Sequence, residues 1–452
     1  MANNNSDQFM MKIFEDCSNI YWTENKYNYR MISTGSNDLN MTKAWKDLIK
    51  EEIDNDLIYM WYTSANGLSV YRSFIRLYHT LLEKDGYSYT INNKDVCMTL
   101  GSTQATGIVF KYLAENKKIK NVALIGYSYS LFARQCSIYN LNCTEIVSNK
   151  ERKNLPELDL IIKKENYDLY VLCFPTNPSG EVWSESEIIE FFKYIEAQKS
   201  YVILDLVAFS PITKKKVINI DYLISISGIS EKRVFITNSF SKTDSVPAFR
   251  IGYLYGSEIS KFAEEYQFND IMNPPIFPVL PVVFTLIARL IYISEARNWR
   301  IKKPLIQRMS FLILESSFAL LSNEWCNKIK EIFQGENFDR YYNSYITEQL
   351  RNEILIDENY NYLICILGKE INKLIKPDMG FNVLIMLGKT QGMNEKKFYR
   401  ALLEKTYISI LTQSCFSINY AKENFWIRIS LAKPKKYFEE SINRLNDYLS
   451  TL

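Results

Sequence analysis

Histidine is nearly absent from this chain: its 452 residues contain one, His79. Histidine clusters around a metal are thereby excluded, and a Ser-His-Asp or Cys-His mechanism would hang on a single side chain. His79 lies in YRSFIRLYHTLLEK, whose spacing predicts a helix, and there a structural role fits it better than catalysis. Paired cysteines are missing too. The eight, at 17, 97, 136, 143, 173, 326, 365 and 415, form no CxxC pair and no zinc-like spacing. Thiols within apolar runs, such as Cys173 in YVLCF, read as reduced core residues of a cytoplasmic protein. The first ten residues, MANNNSDQFM, lack the basic start and apolar stretch of a secretory leader. Neither sign of charge dominates: 54 Lys and Arg against 51 Asp and Glu leave +3, which argues against a nucleic-acid or acidic-membrane partner. One apolar stretch, 277–294, approaches the length of a membrane span. Two prolines near its start and Arg289 inside it predict instead a buried helix beginning near Pro281. There is no internal repeat and no low-complexity linker. Chemistry in such a chain is best supplied by a cofactor.

What is present is an alternation of short apolar runs and helical patterns between about residues 100 and 257. The runs are NVALIG (121–126), YDLYVLCF (167–174), YVILDLVAF (201–209), RVFITNSF (233–240) and RIGYLYG (250–256). A helix is predicted over 184–198, with Ser184 or Ser186 as its cap. Continuous apolar strands separated by helices predict an α/β fold with a mostly parallel sheet covered on both faces. Ligands of such sheets sit at the carboxyl ends of strands, so the residues just after each run matter most. Beyond residue 258 the pattern turns helical until about 360. The runs YNYLICIL (360–367), GFNVLIML (380–387), TYISIL (406–411) and FWIRISL (425–431) then predict strands of a smaller α+β domain. The expected division is an N-terminal segment 1–60, a large domain 61–300 and a small domain 301–452.

Five groups stand at those ends and turns. GSTQA (101–105) opens a helical stretch and could cradle a phosphate, although taken alone a plain capped helix explains it better. TNPSG (176–180) is a turn after a strand. Asp205 interrupts an apolar run, where an ionised carboxylate needs a cation beside it. Lys242 and Arg250, in SFSKTDSVPAFR, add two cations at another strand end. Together these suit a ligand with a phosphate, a protonated ring nitrogen and an aldehyde.

With those residues in view, the chain resembles the fold-type-I, aspartate aminotransferase-like pyridoxal-phosphate enzymes over roughly residues 30–445. SFSKTDSVPAFRIGYLYG (239–256) is similar to the family's serine-x-serine-lysine followed by arginine-x-glycine, with Arg250 eight residues after Lys242. NPSG resembles the Asn-Pro-x-Gly turn, and Asn177 precedes Asp205 by 28 residues, a typical family separation. YTSANGLSVYR (62–72) resembles the family's N-terminal tyrosine segment, and FWIRISLA (425–432) the segment bearing its carboxylate-binding arginine.

The resemblance implies a seven-stranded-type sheet in the large domain and pyridoxal 5'-phosphate as cofactor. Lys242 would form an internal aldimine and then move the Cα proton, and Asp205 would keep the pyridine nitrogen protonated. Ser102, Thr103, Ser239 and Arg250 would bind the phosphate, with Gln104 and Ser241 in the same cofactor set. Asn177 would donate to the phenolate oxygen, and Tyr129 would stack on the ring, with Tyr127 as its competitor. Arg428 would clamp the substrate carboxylate, with Asn177 and Gly35 beside it. Tyr62 would reach the cofactor of a neighbouring subunit, which implies a homodimer with shared sites. The implied reaction is amino-acid transamination with a 2-oxo acid. Three departures surround the substrate side: Ala208 where the family has tyrosine, Gln413 where it has glycine, and extra helix around 320–360. They keep open a cyclase, decarboxylase, eliminase or oxidase acting on an amino acid, and also a cofactor-binding regulator without catalysis.

Overall fold

The computed structural model describes residues 13, 15 and 28–452, except 34, 56–61, 89, 91, 93, 151, 163–165, 271–273, 319–322, 389, 391 and 419–424. The first ten residues, Cys17 and much of the segment 1–60 therefore lie outside the described residues. In chain order the strands are β1 (Arg30–Met31), β2 (Asp95–Leu100), β3 (Asn121–Ile125), β4 (Asn142–Ile146), β5 (Leu169–Cys173), β6 (Tyr201–Asp205) and β7 (Val234–Ser239). There follow β8 (Ile251–Gly256), β9 (Ile371–Ile375), β10 (Asn382–Leu387), β11 (Ile408–Ser409), β12 (Leu411–Thr412) and β13 (Trp426–Ser430). The chain divides into two compact units, residues 40–112 with 184–351, and residues 1–39 with 113–183 and 352–452. Seven strands belong to the large, mostly parallel sheet.

In the unit 40–112 with 184–351 the strand order is β2-β8-β7-β6. β6 and β7 run parallel, while β8 runs antiparallel to both β7 and β2. All five apolar runs expected in the large sheet are strands. Those of β7 and β8 are buried along their whole length, as a sheet covered on both faces requires. The helix Glu185–Gln198 begins at Ser184, whose hydroxyl accepts from Glu187 N while the Glu187 carboxylate accepts from Ser184 N. That reciprocal cap is worth about 1 kcal/mol. The stretch around Arg289 is the helix Leu280–Ala296, buried on nearly every side and starting with Pro281 in its first turn. Among the described residues no helix is long and apolar enough to cross a membrane.

In the other unit β5, β3 and β4 are parallel neighbours. A second sheet is antiparallel, in the order β12-β13-β10-β9. Its apolar face, with Val383, Ile385, Ile427 and Ile429, packs with Leu402, Phe438, Ile442 and Leu445 of the helices Glu395–Thr406 and Lys435–Ser450. The short strand β1 pairs with β11, adding an N-terminal piece to this α+β body. One expectation is corrected here. YNYLICIL (360–367) is not a strand but the last turns of the helix Gly335–Leu367. Asn359, Leu363 and Leu367 are its buried residues there, a spacing of four that suits one helix face and not a strand's alternation.

Candidate active site

Strand register gathers one set of side chains at one end of the sheet. Asp205, the last residue of β6, lies opposite Thr237, and Ser239, the last of β7, lies opposite Gly252. Leu100, the last of β2, lies opposite Ile251. The turns carrying Lys242, Arg250 and Gly101 all leave from this end. Asp205 is 6% exposed. Its carboxylate accepts from Val207 N at 3.2 Å and from the Thr237 hydroxyl at 3.3 Å. Burial lifts its pKa to about 7, although both hydrogen bonds and the charge of Lys242 pull the other way. A carboxylate held so is strongly rewarded by a cationic partner.

Lys242 is half-buried in the four-residue helix Phe240–Thr243 that follows β7 directly. Ser239 caps it: its Oγ accepts from Ser241 N at 3.1 Å, lies 2.7 Å from Ser241 Oγ, and donates to Ile251 O at 2.9 Å. The departing chain is thus tied to the returning strand. Arg250 takes a left-handed backbone (φ 57°), and its guanidinium donates to Leu100 O at 2.9 Å and Pro247 O at 3.2 Å. It therefore lies across the start of the helix Ser102–Asn116. Gly101 has φ +82°, and a Cβ there would stand 2.7 Å from Arg250 Nη2. A Cβ on Gly252 would fall 2.4 Å from the Gly101 carbonyl carbon. The arginine-x-glycine and the GST turn interlock, and only glycine fits at both contacts. The first N–H groups of the helix beginning at Ser102 and Thr103, its dipole and Arg250 could together receive an anion. Gln104 turns its carboxamide oxygen back to Leu100 N at 2.7 Å, closing the strand end.

The second set lies in the other unit. Arg428 on β13 is 5% exposed and donates to Asn177 Oδ1 at 2.8 Å and to Ser33 O at 2.7 Å. Burial holds its pKa down to about 10. Its Nε and the Ser33 hydroxyl are buried without a hydrogen-bond partner among the described residues. Gly35 is packed against this guanidinium: a Cβ there would come 2.7 Å from Nη2, and φ is +61°. Asn177, Gly35 and Arg428 are thereby one cluster, in which Asn177 already spends its carbonyl oxygen on the arginine and keeps its NH2 as donor. Tyr129 is 40% exposed at the start of the helix Ser130–Ile138, edge-on to Phe132. Tyr127 is more buried, with its hydroxyl accepting from Gln413 Nε2 at 3.2 Å. The other end of Gln413 accepts from Trp426 N at 3.3 Å, so this residue braces the strand that bears Arg428. Tyr62, in the unit of Lys242, is 91% exposed.

Ala208 is half-buried in the turn after β6. The region around 320–360 is helical, in Asn323–Phe333 and Gly335–Leu367. Sequence reasoning missed Thr237 and Ser33. Thr237 reaches Asp205 through cross-strand register, and Ser33 meets Arg428 through its backbone; only the pairing of distant segments reveals either.

A model of one family, aminotransferase class I and II, matches residues 20–445. The chain is 26% identical to a histidinol-phosphate aminotransferase from Bacillus pumilus over 229 residues, 46% of this chain and 60% of the relative. It is 25% identical to an aspartate aminotransferase from Pinus pinaster over 227 residues, 50% of this chain and 44% of the relative. In both cases the matched stretch spans less than two thirds of the curated relative. Among solved structures, an aminotransferase from Mycobacterium tuberculosis superposes with a TM-score of 0.68 at 16% identity, covering 98% of this chain and 97% of the other. An aspartate aminotransferase from Thermotoga maritima gives 0.67 at 16% identity, covering 97% and 96%. The fold is theirs.

Proposed function

Because the chain belongs to the class I and II aminotransferases, we propose that it binds pyridoxal 5'-phosphate on Lys242 and acts at the Cα of an amino acid. The observation that carries this is a buried Asp205 carboxylate beside Lys242, at the same sheet end as the Gly101–Arg250 anion cradle. Those groups fit the cofactor's ring nitrogen, aldehyde and phosphate. When bound, the cofactor supplies an electron sink for negative charge at Cα.

The chain's own residues do the rest. Asp205 holds a proton on the ring nitrogen, because its ionised form, costly alone, is stabilised by a cation. Ser102, Thr103, Ser239, Ser241 and Arg250 fix the phosphate. Lys242 accepts and returns the Cα proton through its ε-amine. Arg428, whose buried Nε has no partner among the described residues, takes the α-carboxylate, and the Asn177 NH2 is a donor to the ring's phenolate oxygen. Tyr129 covers the ring face. Exposed Tyr62 suits contact with a second copy of the chain, giving a homodimer with shared sites. Among the described residues six cysteines stand outside any disulfide, which supports a reducing compartment, the cytoplasm.

The leading outcome is exchange of the amino group with a 2-oxo acid. Ala208, which carries no hydroxyl beside Asp205, favours a second reading: a cyclase, decarboxylase, eliminase or oxidase outcome at the same carbon. A mass-spectrometric product screen over amino acids, with and without a 2-oxo acid, separates the two. Turnover that requires the 2-oxo acid supports transamination. Ammonia, carbon dioxide or peroxide without it supports the second reading, and no product under either condition contradicts both.

A further inference from the structure

The turn bearing Lys242 ends in a buried charge pair that the proposed chemistry does not use. Asp244, 1% exposed, lies two residues after Lys242. Its Oδ2 accepts from Arg289 Nη2 at 2.6 Å and from the Thr243 hydroxyl at 2.7 Å, and its Oδ1 accepts from the Tyr345 hydroxyl at 2.8 Å. Arg289 also donates to Thr243 Oγ1 at 2.7 Å, and its guanidinium lies over the Phe240 ring at 5.6 Å. Gln349 Nε2 donates to Thr243 O at 3.1 Å. Asp244 N closes the turn onto Phe240 O at 3.1 Å. Residues on both sides of Lys242 are therefore held by two helices, Leu280–Ala296 through Arg289 and Gly335–Leu367 through Tyr345 and Gln349.

Two buried charges at 2.6 Å are an expensive way to fasten a turn, since apolar packing holds a backbone at least as well. What a charge pair adds is a balanced local field. We propose that Asp244, paired with Arg289, is a positioning residue that fixes the aim of Lys242 and keeps the net charge beside its amine near zero. Tyr345 and Gln349 make the long helix a support of the reactive turn. The inference rests on the cofactor reading above. The titratable groups facing Asp244 are Arg289, Tyr345 and Tyr78, the last from the helix Ser69–Glu83.

The test is an absorbance titration of the cofactor adduct in Asp244→Asn, Arg289→Met and the double variant. With Asp244 neutral, Arg289 is left uncompensated and disfavours a proton on the Lys242 nitrogen, so the midpoint falls. With Arg289 neutral, the carboxylate favours that proton and the midpoint rises. Each shift is about half a pH unit or more, the size an uncompensated unit charge gives at about 10 Å and an effective dielectric of about 20–40. The double variant returns close to the wild type. Shifts of the same sign, or none at full cofactor occupancy, overturn the proposal, because a purely structural role gives no opposed pair. Should the charge variants not fold, Tyr345→Phe keeps the charges and removes one hydrogen bond. Amide exchange over 240–244 in the cofactor-free protein then rises about 2–10-fold, and unchanged exchange overturns the proposal. A wild-type protein that takes up no pyridoxal phosphate refutes the cofactor reading instead, and the exchange arm still decides on the clamp.

Discussion

Asp205 is a carboxylate that the fold makes costly to ionise. Its pKa stands at about 7 against an ordinary 3.8, with burial as the cause. The folded chain thus keeps a proton that the unfolded chain releases near pH 4, so the stability linked to it is complete below about pH 4 and lost as pH rises through 7. In cofactor-free protein, Asp205→Asn should match the wild type near pH 4 and exceed it at pH 8, by on the order of 2–4 kcal/mol. Thermal unfolding across that range checks this; a variant less stable at pH 8 than the wild type contradicts the burial argument. Gly252 gives a steric prediction. Gly252→Ala drives a methyl against the Gly101 backbone at 2.4 Å, where no flexible side chain can yield. Weaker cofactor binding, by about tenfold or more, should follow if the cradle loses roughly 1.4 kcal/mol. A fluorescence titration with pyridoxal phosphate reads it, and unchanged affinity removes the interlock from the account. Both residues could be picked out from the sequence, Asp205 by its place in an apolar run and Gly252 by the arginine-x-glycine pattern. Their contacts could not, because Thr237 meets Asp205, and Gly101 meets Gly252, by register between strands distant in the chain.

At the scale of elements, the strands that the sequence revealed are those read as continuous apolar runs, and the ones it hid are edges. β2 and β4 close the two ends of the large sheet and β9 one end of the small one. NCTEI and INKLI carry polar residues because an edge has solvent beside it. The run YNYLICIL misled for a different reason: the helix buries one face there, at Asn359, Leu363 and Leu367, and partly covered apolar residues fill the rest of the run and imitate a strand. Arg289 was legible as a charge out of place within 277–294, but its partner lies 45 residues earlier in sequence. The same helix has a second buried acid at its start. Glu52 accepts from Val279 N at 2.8 and 2.9 Å and from Leu280 N at 3.0 Å, which caps the helix that carries Arg289. Burial raises its pKa to about 7, so its proton too is lost with rising pH through 7. Glu52→Ala leaves two buried N–H groups unpaired and should cost about 1–3 kcal/mol at pH 6. Glu52→Gln, which keeps an acceptor, should cost much less there. Equal losses in the two variants would mean that the side chain matters by its bulk alone.

The molecule as a whole divides its candidate residues between two compact bodies, Lys242, Asp205 and Arg250 in one and Arg428, Asn177 and Gly35 in the other. The sequence made the family legible because the lysine block, the Asn-Pro turn and the C-terminal arginine segment follow one another in family order. It left the substrate unnamed, because Ala208, Gln413 and the long helix stand where the family pattern gives no guidance. The account depends on one amine above all. Purified protein incubated with pyridoxal 5'-phosphate, reduced with borohydride, digested and mapped by mass spectrometry should carry the phosphopyridoxyl group on Lys242, and Lys242→Ala should lose both that label and turnover. A label on a different lysine, retained in Lys242→Ala together with activity, would contradict the account at its centre.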